Sequence, residues 1–105
     1  ISFGGGTATG FGGIGGNVNM KGGDSLGGTG GNVLMEGGRG NDTGGFVEIL
    51  GGEANNYYGG DIKITSGRST LTSSGSIYMT TADSGLSGVS GSIFYSTGNS
   101  SDSNV

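Results

Sequence analysis

Apolar side chains recur along this chain in pairs separated by one residue, and a stretch of small and polar positions divides each pair from the next. The first member of the pair falls at Ile1, Val18, Val33, Val47, Ile62, Ile77 and Ile93. The second falls two residues later, at Phe3, Met20, Met35, Ile49, Ile64, Met79 and Tyr95. Spacings between first members are 17, 15, 14, 15, 15 and 16 residues. An apolar pair at i and i+2, β-branched at every first position, is the period-2 signature of a short strand with one buried face. Each repeat is therefore expected to hold one such strand.

Glycine punctuates the pattern. From the second repeat onward each pair is preceded by Gly15-Gly16, Gly30-Gly31, Gly44-Gly45, Gly59-Gly60, Ser74-Gly75 or Ser90-Gly91. A second break follows the pair at Gly22, Gly37, Gly51, Gly67 and Gly98, while Thr81-Ala82 stands there in the repeat that begins near Ser74. Connections of about ten residues exceed a tight hairpin loop, and they lack the apolar periodicity of a crossover helix. The sequence predicts a coil instead: an all-β, parallel β-solenoid of about seven rungs, roughly 15 residues per rung, with Gly-Gly corners. The repeats run over about 1–14, 15–29, 30–43, 44–58, 59–73, 74–89 and 90–105 of a single array, expected to be an excerpt of a longer or processed protein. Poorer strands at 53–57 and 68–72 would form the second side of two of the rungs.

Register in such a stack brings equivalent positions of neighbouring rungs about 4.8 Å apart. Lys21 and Glu36 share one column and Glu48 and Lys63 another, so each column would pair opposite charges, an effect of a few tenths of a kcal/mol at most. Asn17 and Asn32 would begin an Asn ladder. The expected core is Val18, Met20, Val33, Met35, Val47, Ile49, Ile62, Ile64, Ile77, Met79, Ile93 and Tyr95. Leu34, Tyr78 and Phe94, between the anchors, and Phe46 and Leu50, beside them, would point outward as an apolar stripe, the mark of an association surface.

Composition makes association more pressing. Of 105 residues 29 are Gly and 15 are Ser, while Val, Ile, Leu and Phe together number 21. That is the borderline supply of apolar side chains for a packed core. Lateral packing of the stripe on another copy or a neighbouring domain is expected, with the second strand of each rung folding over the same face as the competing arrangement. A disordered glycine-rich linker is the reading that the regular anchors oppose.

Charge and chemistry then narrow the function. The net charge of −4, with Lys21, Arg39, Lys63 and Arg68 the only cations, opposes binding to a phosphate backbone. No stretch approaches the roughly 20 apolar residues of a membrane-spanning helix. Cys and His are absent, which removes disulfides, thiolate and imidazole ligands and the commonest general base. No carboxylate pair can be placed together and nothing is present to activate a serine, so the chain is read as non-enzymatic and without a resident cofactor.

Three motifs bear on ligands or modification. Residues 37–42 read GGRGND and match the first six positions of the calcium-binding nonapeptide, making Asp42 the metal candidate. Position eight should be a large apolar residue and is Gly44, so a polar glycine turn is the competing account. Gly10, Gly12 and Gly15 have dinucleotide-fingerprint spacing, but without the buried strand and following helix that give the motif its meaning. Asn41-Asp42-Thr43 and Asn99-Ser100-Ser101 are glycosylation acceptor sequences, which makes Asn41 and Asn99 the candidate sites if the protein is secreted by a eukaryote.

The units GGNVNM, GGNVLM, GGDIKI, SGSIYM and SGSIFY resemble the GGDVxIxxG-type tandem repeats of long, low-complexity surface and fibre proteins of microbes and algae. The resemblance covers nearly the whole chain and carries no catalytic residue. It implies an extracellular or cell-surface shaft, hair or adhesive fibre built from stacked repeats of the same protein. The alternative is an adhesive or ice-binding solenoid. Thr65 and Thr80 share one column as an ice lattice would require, but Lys21, Glu36, Leu50 and Ser96 interrupt it.

Overall fold

The computed structural model describes residues 1–101. The chain divides into two units, Ile1–Leu50 and Gly51–Val105. Among the described residues there is no helix and no strand. The expected parallel β-solenoid is therefore not the fold, and the proposed poorer strands at 53–57 and 68–72 are loop segments that bend at 55–57 and 70–72.

What the repeats build instead is a series of closed loops. The chain leaves an anchor segment, passes a small-residue pair, runs around a loop and returns to cross that pair before entering the next anchor segment. One backbone hydrogen bond closes each crossing. In the first unit the amides of Gly16, Gly31 and Gly45 donate to the carbonyls of Gly6, Gly23 and Gly38, each at 2.8 Å. In the second unit Gly60 donates to Gly52 at 2.8 Å and Gly75 to Gly67 at 2.9 Å. We number these loops 1 to 5, spanning 6–16, 23–31, 38–45, 52–60 and 67–75.

The same residues explain why strands are missing. A strand is defined by successive ladder bonds to a neighbour. Each of these repeats makes a single bond of that kind, at the crossing, and the anchor segments between crossings make none. Three or four residues flanked on both sides by glycine, which is depleted in strands and loses the most backbone freedom on ordering, are a poor seed for a ladder. Glycine is thus a condition of the crossing rather than the corner of a rung. A Cβ added at Gly22 would overlap the carbonyl oxygen of Gly31, and one added at Gly31 would lie 3.0 Å from the amide nitrogen of Gly23.

Loop 1 has an additional device. Gly13 donates to the carbonyl of Gly10 at 3.2 Å, and Gly12 between them has φ of 72°. Positive φ at the third position of a four-residue turn is the type II requirement that glycine meets.

Both expected cross-repeat charge pairs are replaced by local ones. Lys21 Nζ lies 2.7 Å from Asp24 Oδ2 and Lys63 Nζ lies 3.5 Å from Asp61 Oδ2, all four side chains exposed. Exposed pairs of this kind are worth about 0–1 kcal/mol.

Candidate assembly surface

No described residue is buried, and no apolar core exists among them. The anchors expected to form one are instead half-shielded. Val18, Val33, Val47, Ile62, Ile77 and Ile93 retain between 46% and 54% of full exposure, and the second members Met20, Met35, Ile49, Ile64 and Met79 between 54% and 68%, while Tyr95, also expected in the core, retains 75%. Leu34, Phe46, Leu50, Tyr78 and Phe94, expected outward, retain 77% to 90%. The alternation predicted by the period-2 pattern therefore survives as a difference in exposure between neighbouring positions, although no buried face results.

Loops 1 to 5 are each closed at the base, so the anchor segments on either side of a loop emerge from the same crossing. Across the sixth interval, which no backbone bond closes, one side-chain contact joins the second anchors of two consecutive repeats: Tyr95 Oη donates to Met79 Sδ at 3.3 Å. Among the described residues the least exposed positions are Gly22, Gly37 and Ser66, at three of the crossings, and Ser69, in loop 5.

A second apolar series lies on the loops, and the period-2 reading missed it. The chain bends at 10–12, 26–28 and 41–42 in the first unit and at 55–57, 70–72 and 86–88 in the second. Five of these six bends hold one large apolar side chain: Phe11, Leu26, Tyr57, Leu71 and Leu86. Each is fully or almost fully exposed. Asn41-Asp42 occupies the third bend. The signal was present in the sequence, since Phe11, Leu26 and the polar third tip are 15 residues apart, as are Leu71 and Leu86.

The ligand and modification candidates are placed as follows. Asp42 sits at the third bend, and among the described residues no cluster of three acidic, histidine or cysteine side chains gathers around it or elsewhere. The calcium motif thus contributes an exposed carboxylate in a polar turn. Asn41 and Asn99 are both exposed. Gly10 and Gly12 shape the turn of loop 1, and Gly15 precedes its closure. The described residues form no pocket, and no helix among them is long and apolar enough to cross a membrane.

What the arrangement can do is offer apolar surface. A folded monomer of 10.1 kDa exposes about 5,300 Å² and its extended chain about 14,600 Å². This chain exposes 10938 Å², about twice the folded value. No protein family, curated protein or solved structure matches the chain.

Proposed function

We propose that this chain is a structural segment of an extracellular or cell-surface filament, hair or fibre, and that it assembles by covering its exposed apolar residues with other copies of itself. The observation that carries this reading is the exposed area. The excess over a folded monomer is about 5,600 Å², several times the roughly 800 Å² that each partner contributes to a standard interface. One dimer contact cannot absorb it. A chain that meets neighbours on several sides can, and repetition of the same surface along the chain supplies them.

Composition supports the same reading, since the chain has neither His nor Cys to support nucleophilic or thiolate chemistry. The half-shielded anchors and the outward residues beside them are the surface the reading uses first. The competing binding-module reading, adhesive or ice-binding, requires a discrete particle with a working face.

Sedimentation velocity from micromolar to millimolar concentration, with electron microscopy of the same samples, tests the proposal. The expected result is growth past the dimer into elongated particles. A chain that stays monomeric throughout overturns it. If the monomer also showed thermal hysteresis, the ice-binding reading would replace it, and if its Gly31, Gly45 and Gly60 amides exchanged at unprotected rates, a flexible linker would.

A further inference from the structure

Resting on the extracellular part of that reading, we infer that Asn41, at the bend of loop 3, is a modification site. It carries an N-linked oligosaccharide, transferred from a polyprenyl-pyrophosphate-linked donor.

Two observations meet at this bend. Of the six bends in the chain, the third, Asn41-Asp42, is the one without a large apolar side chain. It is also the one that contains an acceptor sequence, Asn41-Asp42-Thr43. The second acceptor sequence, which begins at Asn99, lies on no bend. In the transfer, Asn41 Nδ2 bonds to C1 of the sugar as the C1–O bond to the pyrophosphate breaks. The departing pyrophosphate oxygen keeps the electron pair of that bond, and the amide gives up one proton. The Thr43 hydroxyl, two residues on, completes the acceptor.

The fold around the site tolerates the product. A sugar added during secretion remains on the folded chain, so the turn must hold it at the surface. Loop 3 is closed at its base by the Gly45 amide on the Gly38 carbonyl at 2.8 Å. Gly40 lets the chain double back, since a Cβ there would overlap the carbonyl oxygen of Thr43. The close approach thus falls on glycine, and neither Asn41 nor Asp42 adopts positive φ. The Asn41 side chain is exposed and makes no hydrogen bond among the described residues, so modifying its amide breaks no contact.

The acceptor sequences also avoid the segments that assembly would cover. Asn17, Asn19 and Asn32 all lie in anchor segments, and none of them begins an acceptor sequence. The sugar and the anchors therefore occupy different parts of the repeat, with the crossing at 38–45 between them.

Peptide mapping of the full chain, as isolated from its source, tests the inference. Trypsin cuts after Lys21, Arg39, Lys63 and Arg68, which puts Asn41 on residues 40–63 and Asn99 on residues 69–105, so the two acceptors are read separately. The expected result is a peptide 40–63 heavier than its sequence by the mass of a sugar, released by peptide N-glycosidase with conversion of Asn41 to aspartate. An Asn41→Gln chain made in the same cells should lose that mass and keep the protection of its Gly45 amide. A bare peptide 40–63 in the native protein overturns the inference, even if 69–105 is modified. A mass that survives both the glycosidase and Asn41→Gln sits on a hydroxyl instead and overturns it equally. The structural reading fails separately: a chain modified at Asn41 that never assembles, with the sugar on or removed, sinks that reading and leaves the site, whereas an assembling chain with a bare Asn41 does the reverse.

Discussion

Backbone bonds close loops in both units, but the later crossings of the second unit differ from those of the first. In the first, the position four residues after the first anchor is Gly5, Gly22 or Gly37, and a Cβ at any of them would overlap the carbonyl oxygen of Gly16, Gly31 or Gly45. The second unit begins the same way at Gly51 and then departs, with Ser66 and Thr81 at that position. Loop 5 keeps its backbone bond but has opened, the space beside Gly75 widening to 3.7 Å where Gly31 and Gly45 allow 3.0 Å. At the sixth interval no bond links Gly91 to Ala82, and the nearest atom to a Cβ on Gly91 is the Thr81 methyl at 3.8 Å. Side chains take over. Ser69 Oγ accepts from the Thr72 amide at 2.9 Å and from the Leu71 amide at 3.3 Å, and Tyr95 reaches Met79. A side-chain turn thus accompanies the backbone crossing in loop 5, where Ser66 stands at the crossing position, and the crossing bond is gone in the sixth interval, where Thr81 stands there.

The sharpest way to break that contrast is to place a methyl at a first-unit crossing. Gly22→Ala must force loop 2 open, because the clash is with backbone that has no rotamer to change. Losing the closure and straining its neighbours should cost about 1–3 kcal/mol, read as about fivefold or more faster exchange of the Gly31 amide. The matching change in the second unit, Ser66→Ala, should stay within about 0.5 kcal/mol. Equal effects at the two sites would mean that the crossings are equivalent and the distinction between units is false.

The converse substitution sharpens the comparison. Thr81→Gly with Ala82→Gly gives the sixth interval the pair found in the first four, and should slow exchange of the Gly91 amide by a few-fold. The gain is smaller than the loss at Gly22 because two added glycines also raise the entropy lost on ordering, by roughly 0.5–1 kcal/mol each. An unchanged Gly91 amide would show that the crossing needs more than room.

How much of this was legible follows from which forces act locally. The anchors were readable because a β-branched residue at i with an apolar partner at i+2 is a local pattern. Their alternation in exposure, Val33 and Met35 against Leu34, appears in the structure. The Gly-Gly pairs were readable as breaks, but not as crossings. Whether a glycine serves positive φ or close approach depends on what comes beside it, and Gly31 beside Gly23 is separated by a whole loop. Strand formation failed as an inference because period 2 reports which side chains face together and is silent about ladder bonds. Lys21 illustrates the same gap: column arithmetic paired it with Glu36, whereas the carboxylate of Asp24, three residues away, is within reach without any ordering of a neighbouring repeat. The tips were overlooked because none of them has an apolar partner at i+2.

A moderate effect is expected at Ser69. Its hydroxyl organises the turn of loop 5, where the crossing is loose, so Ser69→Ala should cost about 0.5–1.5 kcal/mol and speed exchange of the Thr72 amide. No turn of loops 1 to 4 is held by such a hydroxyl, and Ser25→Ala in loop 2 should leave the Gly31 amide as it was.

The smallest effect is expected from Tyr95→Phe. The hydrogen bond to Met79 Sδ is 3.3 Å long, its acceptor is a weak one, and both side chains are largely open to water, so a few tenths of a kcal/mol is the scale. The measurement is exchange at the Gly75 amide, which lies at the base of the repeat that contains Met79. No change there places the ordering of the second unit in its remaining crossings and the Ser69 turn, with the anchors free to meet a neighbouring chain. A change as large as that from Ser69→Ala would instead make the contact between successive second anchors the element that replaces the lost crossing. In that case the second unit would already be using, within itself, part of the apolar surface that the first leaves for assembly.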